Sequence, residues 1–175
     1  MINEIKYPKR KQMRLSNYDY SLSGAYFVTI VVKDKAEWFG EIKDGCMKLS
    51  NMGKIVGKCW KEIPNHVGGI ELDEYIVMPN HIHGIININT VGAAHVRPGH
   101  VFNDRSNMLL SKAIHGFKSS ASRIIRQRYK NIAFHWQRSY HDRIIRNEKE
   151  LYEIRQYIHD NPLKWGKDEY KSNNG

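Results

Sequence analysis

The chain is poor in cysteine, poor in acidic charge and without any long apolar run. Cys46 and Cys59 are its only two cysteines among 175 residues. Two are too few for a disulfide framework, and their spacing fits no zinc site, so reduced thiols and a cytoplasmic protein are expected. No stretch approaches the roughly 18 consecutive apolar residues that a bilayer span requires. The basic N-terminal stretch from Met1 to Leu15 has no apolar segment behind it, which argues against a signal peptide. With 18 acidic residues against 28 Lys and Arg, the formal charge is +10. A large anionic partner is therefore favoured, and nucleic acid is the commonest one.

Hydrophobic residues make up 41% and charged residues 26%, values ordinary for one globular domain with a real core. A single domain over residues 1–175 is expected, with residues 1–22 as a basic arm. Ala25 to Val32 is β-branched and aromatic almost without interruption, as in a central strand buried on both faces. Asp44-Gly45 between Phe39–Lys43 and Cys46–Leu49 is a two-residue hairpin signal. Ser50 or Asn51 then caps a helix to about Glu62, which Pro64 ends. Ile70 to Met78 and His81 to Ile88 read as strands joined by Pro79-Asn80. Residues 89–107 carry no periodic pattern and read as a mobile surface loop. A helix over Met108 to Tyr129 shows Leu110, Ile114, Phe117, Ala121 and Ile124 to Ile125 on one face. Extended pieces fill Phe134 to Ile145, and a last helix runs from about Lys149 to Asn161 with Pro162 at its end.

Without the small hairpin this order is βαββαβ plus a C-terminal helix. The fold class expected is α+β, a ferredoxin-like antiparallel sheet.

His81-Ile82-His83 lies on the strand after Pro79-Asn80. Alternation turns both imidazoles to one face and Ile82 to the other, so the pair can share a metal ion while Ile82 anchors the strand. Two imidazoles are half a site. On the last helix, Tyr157 and Asn161 stand four residues apart and share a face, beside an apolar stripe of Leu151, Ile154 and Ile158. Taken alone, Tyr157 also suits a core-edge aromatic and Asn161 a helix cap.

Five segments occur together in a telling order: Tyr26-Phe-Val-Thr-Ile30, Met78-Pro-Asn-His-Ile-His-Gly84, Phe117-Lys-Ser119, Trp136-Gln-Arg-Ser-Tyr-His-Asp-Arg143 and Tyr157-Ile-His-Asp-Asn-Pro162. The set resembles the IS200-like family of single-tyrosine HUH transposases, nearest to its REP-associated branch. That resemblance implies a Mg or Mn ion held by His81, His83 and Asn161, and a nucleophilic Tyr157. It implies cleavage and rejoining of hairpin-bearing single-stranded DNA through a 5′-phosphotyrosine, by a monomer or a homodimer. His159 departs from the aromatic residue often found there and is left outside the site.

For DNA contact, Arg14 in the basic arm, Lys112, Lys118 and Arg123 on the long helix, and Gln137 and Arg138 before the last strand are the candidates. Tyr18, Tyr20 and Tyr140 are candidates for base stacking. Two rival readings are a cupin-type metal enzyme, which the three helical segments disfavour, and a catalytically silent DNA-binding descendant of a transposase.

Overall fold

The computed structural model describes residues 24–89, 109–130 and 132–171. The basic arm with Arg14, Tyr18 and Tyr20, and nearly all of the unpatterned loop with its His95 and His100, lie outside the described residues. Among the described residues six strands and four helices follow one another: β1 (Gly24–Val31), β2 (Gly40–Lys43), β3 (Cys46–Leu49), α1 (Asn51–Lys61), α2 (Ile63–His66), β4 (Ile70–Val77), β5 (His81–Ile88), α3 (Leu109–Arg128), β6 (His141–Ile145) and α4 (Glu148–Lys164). The main sheet runs β4-β5-β1-β6 with every pair antiparallel. Counting only those four strands, this is the ferredoxin-like order. β2 and β3 form a separate two-stranded hairpin, and its turn residues Asp44 (φ 51°) and Gly45 (φ 69°) both take the left-handed conformation that a type I′ turn demands.

Strand alternation divides the apolar residues between two layers. On one face Tyr26, Val28, Ile30, Ile82 and Ile86 meet α1 and α3 through Val56, Trp60, Leu110, Ile114 and Phe117. On the other face Ile85 and Ile145 meet Ile154 and Ile158 of α4. α1 starts where the Ser50 hydroxyl accepts the Gly53 N–H at 3.1 Å. At the start of α4 the Asn147 side chain accepts the Glu150 N–H at 2.9 Å, and the Glu150 carboxylate accepts the Arg146 N–H at 2.9 Å. Two orphan donors are satisfied by this exchange. Arg155 of α4 then forks onto Asp73 at a bulge in β4, which pins the helix across the sheet. Among the described residues no helix is long and apolar enough to cross a membrane.

Of the two expected proline stops the first holds, since α1 ends at Lys61 with Glu62 as its cap, and the second is displaced. Pro64 opens the short helix α2, at a position where its missing N–H costs nothing. Pro162 lies inside α4, which continues to Lys164 and tightens into a 3-10 turn over Trp165–Lys167. Pro162 and Trp165 are both buried. Tertiary packing of this last turn thus outweighs the lost hydrogen bond.

Gly84 follows the histidines and faces Trp60. A Cβ there would stand 2.3 Å from the indole ring. Gly84→Ala is therefore expected to destabilise the fold by about 1–3 kcal/mol, read as a lower urea midpoint; an unchanged midpoint would show that the indole can move aside.

Candidate active site

β5 turns His81 and His83 to the α4 side of the sheet, and both rings are fully buried. Their Nε2 atoms stand 2.9 Å apart. Each Nδ1 has its own partner: Asn80 Oδ1 lies 2.8 Å from that of His81, and Thr29 Oγ1 lies 2.8 Å from that of His83. Thr29 arrives from β1, whose register places it directly opposite His83. Burial holds both imidazoles neutral. It pushes His83 down to about 3, and His81 goes well below its ordinary value with a further push from its neighbour.

α4 brings Tyr157 to the pair. Its hydroxyl lies 3.4 Å from His83 Nε2, and Phe27 packs against both rings. Burial and the nearby Asp168 and Glu169 raise the phenol above its usual range, more than the amide of Asn161 lowers it. One turn on, Asn161 is buried, and its Oδ1 has no hydrogen-bond partner in the structure.

These groups suit a hard divalent cation. Two ligands in adjacent octahedral positions at about 2.1 Å from the ion are about 3.0 Å apart, close to the observed Nε2 separation. An orphaned amide oxygen in the interior is a strong reason to look for an ion or water. His81, His83 and Asn161 would hold the cation, with Asp168 beside them. The ligating nitrogens and an Asp168 oxygen all lie within 4.8 Å of one another. The 4.0 Å contact of Asp168 with His81 Nε2 is proximity and not an ion pair, because the buried imidazole is neutral.

The structure therefore brings together His81, His83, Tyr157 and Asn161. It adds Asp168 and Tyr170, which nothing in the sequence signalled: Lys-Asp-Glu-Tyr after a helix reads as a polar tail. The Tyr170 ring lies 5.0 Å from that of His81, and its backbone carbonyl accepts from Asn80. An open cleft of about 390 Å³ exposes Tyr157 beside His141, Arg143, Glu153 and Glu169. Arg143 is the sole Lys or Arg in its described lining and is already paired with Glu150. His159 is exposed and bonded to Asp160, away from the histidine pair.

The candidate DNA contacts do not converge here. Lys112 and Arg123 sit on α3, which covers the opposite face of the sheet. Lys118 donates to the carbonyls of Gln137 (2.6 Å) and Arg138 (3.3 Å), so its ammonium braces a loop instead of facing solvent. Gln137 is tied by its own N–H to Val31 O, while Arg138 is exposed. Tyr140 is partly buried against the α3 core, its hydroxyl 3.4 Å from that of Ser111.

Neutral buried histidines make the metal-free fold sensitive to acid. Below about 6.5 the unfolded chain takes protons that the folded site refuses. Stability present above that pH is lost as pH falls toward the His83 value of about 3. Urea midpoints of the metal-free protein should drop between neutral and mildly acidic pH, and His83→Gln should flatten the slope. Parallel slopes for the two proteins would contradict this account.

Comparison with known proteins adds three findings. Residues 91–161 match the family described as transposase IS200 like, a span that includes Tyr157 and Asn161 but begins after the histidines. A Haemophilus influenzae protein of uncharacterised function is 34% identical over 166 residues, 91% of this chain and 92% of its own length. The structure of a REP-associated tyrosine transposase bound to a REP hairpin is similar at a TM-score of 0.57 and 18% identity. That match covers 87% of this chain and 74% of the other, and it shows a shared fold.

Proposed function

Since this chain belongs to the IS200-like transposase family, we propose that it is a Mg- or Mn-dependent enzyme that cuts and rejoins single-stranded DNA beside a hairpin, with Tyr157 as nucleophile. The observation that carries this reading is the placement of the Tyr157 hydroxyl 3.4 Å from His83 Nε2, itself 2.9 Å from His81 Nε2, with the Asn161 side chain bonded to the same hydroxyl. A hairpin substrate is favoured by the shared fold with a REP-associated tyrosine transposase that was captured on a REP hairpin.

A phenol of reference pKa about 10 is a weak nucleophile near neutrality, and here its surroundings raise it further. The cleft has no unpaired Lys or Arg among its described lining residues to offset a phosphate. A bound divalent cation supplies both missing effects, favouring the phenolate and neutralising charge on the phosphate.

His81, His83 and Asn161 would hold that cation, and Phe27, packed against both His83 and Tyr157, fixes the phenol beside the imidazole. The Tyr157 oxygen attacks the phosphorus and the bond to the 3′ oxygen breaks. The phenolic proton passes to water, which Tyr157 reaches through its 36% exposure. The leaving 3′ oxygen takes a proton from water, which gives a free 3′-OH and a 5′-phosphotyrosine on Tyr157. Attack on that linkage by another strand's 3′-OH reseals DNA without ATP, because the phosphotyrosine conserves the bond energy.

The test is incubation of hairpin-bearing single-stranded DNA with Mn, followed by a denaturing gel. Wild type should give a covalent protein–DNA adduct, and Tyr157→Phe should give none. Hairpin binding by wild type without any adduct would identify a catalytically silent DNA-binding descendant instead.

A further inference from the structure

We propose that Asn80 is a positioning residue that locks His81 as a ready ligand, with its proton on Nδ1 and its lone pair on Nε2, whereas the Thr29 hydroxyl lets His83 exchange between its two tautomers. The purpose assigned to this device rests on the metal-dependent reading above. The tautomers follow independently, from donors and acceptors.

Asn80 is fully buried in the turn before β5. On one side its amide meets two carbonyl oxygens, Lys35 O at 2.9 Å and Tyr170 O at 2.8 Å. Carbonyls only accept, so the NH₂ group faces them and the amide oxygen faces His81 Nδ1 at 2.8 Å. An amide oxygen also only accepts, so the His81 proton is on Nδ1. A neutral imidazole has one N–H, and Nε2 is left with its lone pair toward the site.

His81 Nε2 and His83 Nε2 are 2.9 Å apart, and two bare lone pairs at that distance repel. His83 therefore carries its proton on Nε2 and donates to His81. Its Nδ1 is then an acceptor, served by the Thr29 hydroxyl at 2.8 Å. The polarity of the whole chain, from Thr29 through both imidazoles to Asn80 and on to two backbone carbonyls, is set at the Asn80 end.

The two ends differ in kind. Turning the Asn80 amide over would set its oxygen against two carbonyls and its NH₂ against an N–H. The Thr29 hydroxyl can rotate freely, since it both donates and accepts. For His83 to become a ligand, Nε2 must lose its proton and Nδ1 must gain one, with no net change on the ring. Thr29 Oγ1 then accepts from Nδ1–H, and its own hydrogen turns to the phenolic oxygen of Tyr170, with which it is in hydrogen-bonding contact. His81 needs no change. Asn80 has a second consequence: by holding Tyr170 O it fastens the turn that carries Asp168 beside His81.

The assignment is tested by long-range ¹H–¹⁵N correlation spectra of the full chain labelled at histidine. In metal-free wild type near neutral pH, His81 should be protonated at Nδ1 and His83 at Nε2. Adding Mg should move only the His83 proton, to Nδ1. Asn80→Ala should give mixed His81 tautomers and weaken Mn binding by roughly 10- to 100-fold, measured by electron paramagnetic resonance. Thr29→Val, which keeps the strand's shape, should leave His81 unchanged and weaken Mn binding by blocking the His83 exchange. A His81 proton on Nε2 in wild type, or Mn affinity unchanged in both variants, overturns the proposal. The expected tautomers in a protein that binds neither Mg nor Mn would instead overturn the metal-dependent reading and leave Asn80's role in setting the tautomer intact.

Discussion

Two neutral, buried imidazoles with their Nε2 atoms 2.9 Å apart form the contact around which the rest of this molecule is organised. Left to themselves, buried polar rings would be a liability. They are held because each Nδ1 has a fixed partner on a different element, Asn80 in the turn and Thr29 on β1. That arrangement requires β1 beside β5 in the register observed, which the ferredoxin-like strand order supplies. It also requires Ile82 and Gly84 to bind the other layer tightly, since any slip by one residue would turn both rings into the α1–α3 core.

Charge is distributed against expectation. The chain carries +10, yet the cleft beside Tyr157 holds Glu150, Glu153 and Glu169 against the single, already paired Arg143. The basic side chains of α3 lie on the opposite layer. The net positive charge of the chain is thus separated from the cleft at the tyrosine.

Much of this was legible along the chain. The hairpin at Asp44-Gly45, the Ser50 and Asn147 caps, and the alternation of β5 are local features, governed by backbone conformation and side-chain direction over a few residues. Tyr157 and Asn161 were legible as a pair because helical spacing is local too. The signals that misled were those in which distant packing overrules a local preference. Pro162 reads as a stop, but its burial with Trp165 carries the helix past it. Lys118 reads as a phosphate contact, but the loop at Gln137 and Arg138 folds back over its ammonium.

By itself the sequence determined the fold class, the two histidines' common face and the four-residue spacing of tyrosine and amide, since all three follow from the periods of strand and helix. The tertiary structure alone decided that these two half-sites meet, through the Arg155–Asp73 fork and the Ile154 and Ile158 contacts that seat α4 on the sheet. It alone brought Asp168 and Tyr170 over the histidines and gave Asn80 two carbonyls to bind. Those contacts join residues tens of positions apart, and no periodicity along a chain encodes which distant carbonyl will face a given amide.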